Sequence, residues 1–399
     1  MAVGSAFART PVEIWEVILD EVIRPGVALD TTCTLESFRE FRRRGGDGYT
    51  ASEKQRLVLR RVCKRWQQFA EDRAHRRLDA RSPLALLPPS AGLNATRVHY
   101  ATEQFEKCLT RNTRWKIVCV DITDKEPDLL RQFAENADFH PHIRRLVLDL
   151  QNRKSKLVPI ADLSCFRQLT YLVIRRHNDP STIFWGALSS PITLPHLEVL
   201  DFQCTGDRTR FPSASVHLPA LRHLALWVTD SAHLMDTIEP YTSTLRSLMV
   251  RYSCKDGFIP PELFSRLANL EELAIKGWVD ADGHPPSNHP LKRFIILSRT
   301  LCFIEMRSLI EHLRPMRLIF SKLEWPTSTQ KGQVPQIDNL PKRDVGSRER
   351  ARHEGMKELA ALCESKGIRL EDDHGRTLAE AEMTDGTKAD DTPMRNDTA

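Results

Sequence analysis

Between positions 143 and 320 the chain repeats one arrangement of positions, apolar-x-x-apolar-x-apolar, eight times. The units read Ile143-Leu146-Leu148, Leu169-Leu172-Ile174, Leu197-Leu200-Phe202, Leu221-Leu224-Leu226, Leu245-Leu248-Val250, Leu270-Leu273-Ile275, Leu291-Phe294-Ile296 and, less regularly, Leu313-Met316-Leu318. Their first residues are 26, 28, 24, 24, 25, 21 and 22 apart. Within a unit the fourth and sixth positions lie two apart, the period of a strand, so alternation sends the third, fifth and seventh residues to the other face. Each unit therefore predicts one short strand with its leucines turned into a core. A similar run, Trp115-Lys116-Ile117-Val118-Cys119-Val120, begins 28 residues ahead of Ile143 and reads as a first rung.

Upstream the period changes to that of a helix. Thr10 is a natural N-cap, Pro11 suits the first helical position and Glu13 completes a capping box. Behind them Ile14, Ile18 and Val22 form one stripe, flanked by Trp15 and Leu19, which predicts a helix with one buried face ending before Pro25-Gly26. A second capping box, Thr50 to Glu53, predicts a helix whose apolar positions are Leu57, Val58, Val62, Trp66, Phe69 and Ala70. Between the two, Arg42-Arg43-Arg44 and Gly45-Gly46-Asp47-Gly48 mark a basic, flexible insertion over 24–52. Ser82-Pro83 and Pro88-Pro89-Ser90 interrupt the helical pattern and open a linker. Near the other end, a helix over about 351–366 should stop at Gly367, which fits a left-handed cap, before Ile368-Arg369-Leu370.

A unit of ~20 to 29 residues with a strand in its middle resembles a leucine-rich repeat, in which stacked neighbours bury a continuous core and parallel strands line a concave face. The asparagine that such repeats often carry at the ninth position is replaced here by Gln151, His177, Thr205, Thr229, Ser253, Trp278 and Arg299, so the array is read as irregular. The third, fifth and seventh residues are expected to face outwards. Among them Arg145, Tyr171, Arg175, His223, Trp227, Arg251, Lys276 and Arg293 are the candidate contacts for a client protein, because arginine and aromatic side chains dominate interface energetics.

The two N-terminal segments, Pro11-x-Glu13-Ile14 with Ile18-Leu19, and Val62-Cys63-Lys64-x-Trp66, resemble an F-box. Two departures accompany the likeness: Thr10 stands where the family has leucine, and 24–52 is a longer connection than the minimal motif. The resemblance implies a helical module that plugs into the Skp-type adaptor of a cullin-RING ubiquitin ligase. It would dock through Pro11, Ile14, Ile18, Leu19, Val62 and Trp66, and the chain would be the ligase's substrate receptor. The alternative is a free-standing leucine-rich-repeat binding module whose N-terminal helices only cap the array.

The expected fold is thus α/β: an F-box-like helical module over 1–81, a linker or cap over 82–114 and a leucine-rich-repeat solenoid over 115–325. A flexible segment over 326–350, a capping helix and strand over 351–370, and a disordered polar tail over 371–399 complete it. Composition alters this picture little. Nine cysteines at scattered positions, odd in number and without a C-x-x-C pair, argue for reduced thiols in the cytoplasm or nucleus. The net charge is only +5, yet fourteen Lys/Arg stand against six Asp/Glu between Arg39 and Arg81, a local excess suited to an acidic partner. Nucleic-acid binding through the same stretch ranks last, since few aromatics interleave with the arginines. No catalytic, phosphate-binding or zinc motif is present, and no cofactor, metal or membrane span is expected. The pairs His140/His142 and His284/His289 sit in proline-rich loops without companion ligands.

Overall fold

Helix α1 spans Val12–Val22 and begins immediately after Pro11, whose carbonyl accepts from the Trp15 amide at 3.3 Å. Proline suits that position because its missing N–H would have no partner within the first turn. This computed structural model describes residues 11–22, 47–72, 77–79, 97–101, 119–123, 135, 140–150, 160–176, 191–204, 215–228, 230–252, 259–276, 284–297, 307, 310–311, 313, 316–320, 345–372 and 375–380. Thr10, the expected N-cap, lies outside them, as does most of the basic insertion.

The second helical stretch differs from expectation in two ways. It starts at Asp47, so helix α2 (Asp47–Leu59) already contains Gly48 and Thr50, and Thr50 is an interior residue rather than a cap. It also breaks in two. After Leu59 the amides of Arg61 and Val62 turn back to the carbonyls of Val58 and Leu59 at 3.0 and 3.1 Å, tightening the last turn, and helix α3 (Lys64–Asp72) follows. Continuous apolar spacing cannot reveal such a break, because a tight turn keeps residues on both sides near helical phase. Arg56 bridges the pair: it meets Glu53 at 2.7 Å and donates to the Ala70 carbonyl at 3.2 Å near the end of α3. Leu19, Leu59, Phe69 and Ala70 form the small core of this module, with Trp66 packed against it.

The remaining secondary structure is dominated by parallel strands in chain order. The chain divides into two compact units, Met1–His223 and Leu224–Ala399. In the first, β1 (Arg77–Asp79), β2 (Arg97–Ala101), β3 (Cys119–Thr123), β4 (Arg145–Leu150), β5 (Tyr171–Arg176) and β7 (Val199–Cys204) each pair parallel with the next. A two-stranded ribbon of β6 (Ile192–Thr193) and β8 (Val216–His217) stands apart, and β9 (His223–Val228) begins at the unit boundary. In the second unit β10 (Ser247–Tyr252), β11 (Glu272–Lys276), β12 (Arg293–Ile296), β13 (Arg317–Phe320) and β14 (Arg369–Glu371) pair in the same way. In neither unit does the sheet close on itself. Helices α4 (Ser231–Ile238) and α5 (Leu263–Arg266) lie between strands, and α6 (Val345–Ser365) precedes β14.

All eight predicted strands are present, and every first, fourth and sixth residue of the eight units is at most 7% exposed. The register explains why: Leu146, Leu172 and Leu200 face one another across β4, β5 and β7, and Leu248, Leu273 and Phe294 do so across β10, β11 and β12. At five strand entries one carbonyl takes two amides from the next strand. Arg144 O accepts from Thr170 and Tyr171 at 2.8 and 3.0 Å, and Glu271 O from Lys292 and Arg293 at 2.8 and 3.1 Å.

The structure corrects the repeat frame at both ends. Phe294 pairs with Leu318 and Ile296 with Phe320, so the eighth unit is displaced by two residues from the reading Leu313-Met316-Leu318. The first rung is centred on 119–123, with Cys119 beside Arg145, rather than on 115–120. Strand β2 falls within the expected linker and β1 at the end of the helical module; the short, charged segments that form them carry no repeat pattern. Helix α6 begins at Val345, inside the stretch read as flexible, and ends as expected at Gly367, whose φ of 66° leaves Ile368 N–H donating to Cys363 O at 2.8 Å. Order also continues past 371: Asp372 is fully buried and pairs with Arg376 at 2.9 Å. Positions 381–399 lie outside the described residues.

Candidate protein-docking surfaces

Helix α1 carries apolar residues on more than one side, and its neighbours cover one side only. Leu19 is 4% exposed in the small core, and Trp15 meets Trp66 with ring centroids 5.9 Å apart. The stripe Ile14, Ile18 and Val22, expected to be buried, is instead on the surface, with Ile14 half exposed. Val17 shares this side at i+3 from Ile14, and Leu57 and Val58 on α2 and Val62 in the following turn are exposed as well. Among the described residues all seven exposed large apolar side chains belong to this helical module.

Of the six expected docking residues, Pro11, Ile14, Ile18 and Val62 are therefore exposed, while Leu19 is interior and Trp66 half-buried. Those two build the module rather than present it. Val17, Leu57 and Val58 are the surface members that motif reading missed or assigned to a core; periodicity shows that residues share a side, not which side is covered. Around them Lys54, Arg61, Lys64 and Arg65 are exposed, and Arg60 is held by Glu71 at 3.2 Å. The Glu71 carboxyl lies below its ordinary range, chiefly because Gln67 donates to it, with Arg60 adding to the effect.

The second surface is the face of the sheet opposite the leucines, and it is not uniformly open. In the first unit Cys119, Asp121, Arg145, Val147, Tyr171, Val173, Val199 and Asp201 all lie on it, and each is at most 7% exposed. Val147, Tyr171, Val173 and Val199 make a second apolar cluster there. Arg145 and Tyr171 are thus not accessible client contacts. They are stacked on one another, the guanidinium carbon 4.3 Å from the ring centroid. Asp201, fully buried, accepts from Gln203 Nε2 through both oxygens at 2.9 and 2.8 Å. The signal was legible: Arg145-Leu-Val-Leu and Tyr171-Leu-Val-Ile are near-continuous apolar runs, as expected where a parallel sheet is covered on both faces. Arg175 and His223 remain half-buried.

In the second unit the same face opens. Trp227, Met249, Arg251, Arg293, Ile295 and Leu297 are partly exposed, and Lys276 and Arg317 are exposed. Arg251 lies over Trp227 at 5.9 Å, and the register sets Arg251 beside Lys276 and Met249, Ala274, Ile295 and Ile319 in one row. Glu272, buried, accepts from Ser247 Oγ at 3.1 Å and pairs with Arg293 at 3.1 Å. The expected contacts Trp227, Arg251, Lys276 and Arg293 are thus brought together on adjacent strands.

No family model matches this chain. No curated protein matches it either. Among the described residues there is no group of three or more His, Cys, Asp or Glu placed to hold a metal ion, and no helix long and apolar enough to cross a membrane. His289 is buried and hydrogen-bonded to the main chain, a structural role rather than a ligand's.

Proposed function

We propose that this protein is a substrate receptor of a cullin-RING ubiquitin ligase: its N-terminal helices act as an F-box that docks on a Skp-type adaptor, and its parallel strands form an irregular leucine-rich-repeat solenoid that holds a client. The observation that carries the reading is the concentration of exposed large apolar side chains on α1, α2 and the turn at Val62. An apolar surface on a small helical module marks a site for another protein. Its shape suits recognition in which a few apolar anchors supply the affinity and surrounding charges set orientation. Ile14, Val17, Ile18, Val58 and Val62 are the anchors, and Lys54, Arg61, Lys64 and Arg65 the rim that favours an acidic adaptor.

On this reading the chain performs no bond-making itself. It contributes proximity, raising the effective concentration of client lysines near an activated conjugating enzyme. Adaptor binding by the purified full-length protein is the test, alongside an Ile14→Asp/Val58→Asp double variant. Both substitutions fall on exposed positions, so the circular dichroism spectrum and unfolding midpoint should not move. Binding by the wild type and its loss in the variant support the assignment. A folded wild type that fails to bind the adaptor at micromolar concentration and low salt would leave a free-standing binding module.

A further inference from the structure

We infer that the open stretch of sheet in the second unit recognises an acidic, carboxylate-bearing peptide segment with apolar side chains, held along β10 to β13; this deepens the receptor reading above and rests on it for the term client. Four observations converge. The face is largely covered in the first unit, where eight residues on it are at most 7% exposed, so among the described residues the strands after the boundary present the more open surface to a partner. Among the described residues its accessible charges are of one sign: Lys276 and Arg317 are exposed and Arg251 partly so, whereas the acidic residues on the same face, Glu272 on β11 and Glu371 on β14, are 5% and 3% exposed. Each of those acids is already held by an arginine of its own, Arg293 for Glu272 and Arg369 for Glu371. Among the described residues, Lys276 and Arg317 are then the exposed charges of this face, and they complement an anionic partner.

The arrangement also selects among anions. Arg251 and Lys276 are cross-strand neighbours at one end of the face, while Arg317 lies two strands further on and at the strand entry. Adjacent strands are ~4.8 Å apart and residues advance ~3.3 Å along each, so Arg317 stands apart from the pair of Arg251 and Lys276, and the three do not close around one group as a convergent arginine cluster does. They match a row of carboxylates. Between them runs a band containing Met249 and Ile295, both partly exposed, with Trp227 held under Arg251 at its edge. Such a band offers contact to apolar side chains spaced between the acids.

The experiment is selection of random twelve-residue peptides displayed on phage against the immobilised full-length protein at physiological salt, repeated on a Lys276→Glu/Arg317→Glu variant of matched unfolding midpoint. Selected peptides should be enriched in Asp and Glu interspersed with apolar residues. A synthetic copy of the consensus should bind the wild type at least about tenfold more tightly than the variant, with the difference shrinking as salt rises. A pool without acidic enrichment, or one unchanged by the variant, overturns the inference. So does a peptide carrying one phosphoserine among neutral residues that outcompetes the carboxylate consensus. Adaptor binding by the same variant is measured in parallel: its retention alongside lost peptide binding isolates this face. If the wild type binds the peptide and not the adaptor, the receptor assignment fails while the recognition surface stands.

Discussion

Replacing His289 tests how the second unit makes its turns. Before most strands the first-position leucine closes a backbone turn: Leu270 N–H donates to Leu267 O at 3.0 Å, and in the first unit Leu197 and Leu221 donate to Leu194 and Leu218 at 3.3 and 3.2 Å. Pro195 and Pro219 sit second in those turns, where the fixed φ of proline is favoured. Ahead of Leu291 the proline is Pro290, third in the turn, a position that forces the preceding residue out of the required conformation. The histidine ring supplies the missing acceptor. Leu291 N–H donates to His289 Nδ1 at 3.2 Å, so Nε2 carries the proton and donates to Leu267 O at 3.0 Å. The ring is 4% exposed and meets Phe264 edge-on at 5.2 Å. Two hydrogen bonds at ~1 kcal/mol each and an edge-to-face contact of ~0.5 to 1.5 kcal/mol predict that His289→Ala loses about 2 to 4 kcal/mol. His289→Phe, which keeps the ring, should lose about half of that. Equilibrium urea unfolding followed by circular dichroism measures both, with amide exchange at Leu291 reporting the local effect. An alanine variant within ~0.5 kcal/mol of wild type, or a phenylalanine variant of full stability, would refute the assignment of energy to these bonds.

Other expectations follow from the same geometry. Leu19→Ala should destabilise the helical module by about 2 to 5 kcal/mol, read as a lowered midpoint of its unfolding, whereas Val17→Asp should leave that midpoint within the range of surface changes and weaken only adaptor binding. Cys63 is exposed and Cys363 buried, its thiol pushed up to about 12 by desolvation. Cys63→Ser should therefore remove one thiol from the rapidly labelled class at neutral pH, while Cys363→Ser changes the count only after denaturation. Glu271 bridges Lys292 at 2.8 Å and Arg246 at 3.2 Å, and its carboxyl lies below the ordinary 4.5, first through the hydrogen bond from Lys292. Its contribution is then present above pH 4.5 and lost as pH falls through the lowered folded value. Lys292→Ala should flatten this acid dependence by less than ~1 kcal/mol, since both partners are exposed to screening; an unchanged acid limb of the stability profile would count against the pairing.

Periodicity located all eight strands because a core position tolerates little besides leucine and its relatives, and the parallel register repeats that demand from strand to strand. It failed at the last unit because Leu313, Met316 and Leu318 are all buried, so two frames two residues apart satisfy the pattern equally well. β1 and β2 were invisible for the opposite reason, being short and polar. The helical module shows the sharper limit. Ile14, Ile18 and Val22 were correctly grouped and assigned to the wrong environment, since apolar spacing carries no label for the protein that covers it. Likewise the alternate positions of β4 and β5 were expected outside, although Val147, Tyr171 and Val173 are apolar enough to suggest two covered faces. Residue type alone did not separate the two faces: Lys276 is exposed and Trp227, Arg251 and Arg293 partly so, while Arg145 and Tyr171, of the same kinds, are buried.

The covered face of the first unit bears on how this protein could be redirected to a new target. Positions such as Tyr171, Val173, Val199 and Asp201 are committed on one side while their strand neighbours are committed on the other, so nearly every side chain of β4, β5 and β7 has packing partners to satisfy. Diversifying them would trade fold for novelty at each attempt. Lys276, Ile295, Arg317 and Ile319 lie on the more open face, exposed or partly exposed. A randomised library confined to those four would explore new specificities on an unaltered framework, leaving most of its members folded.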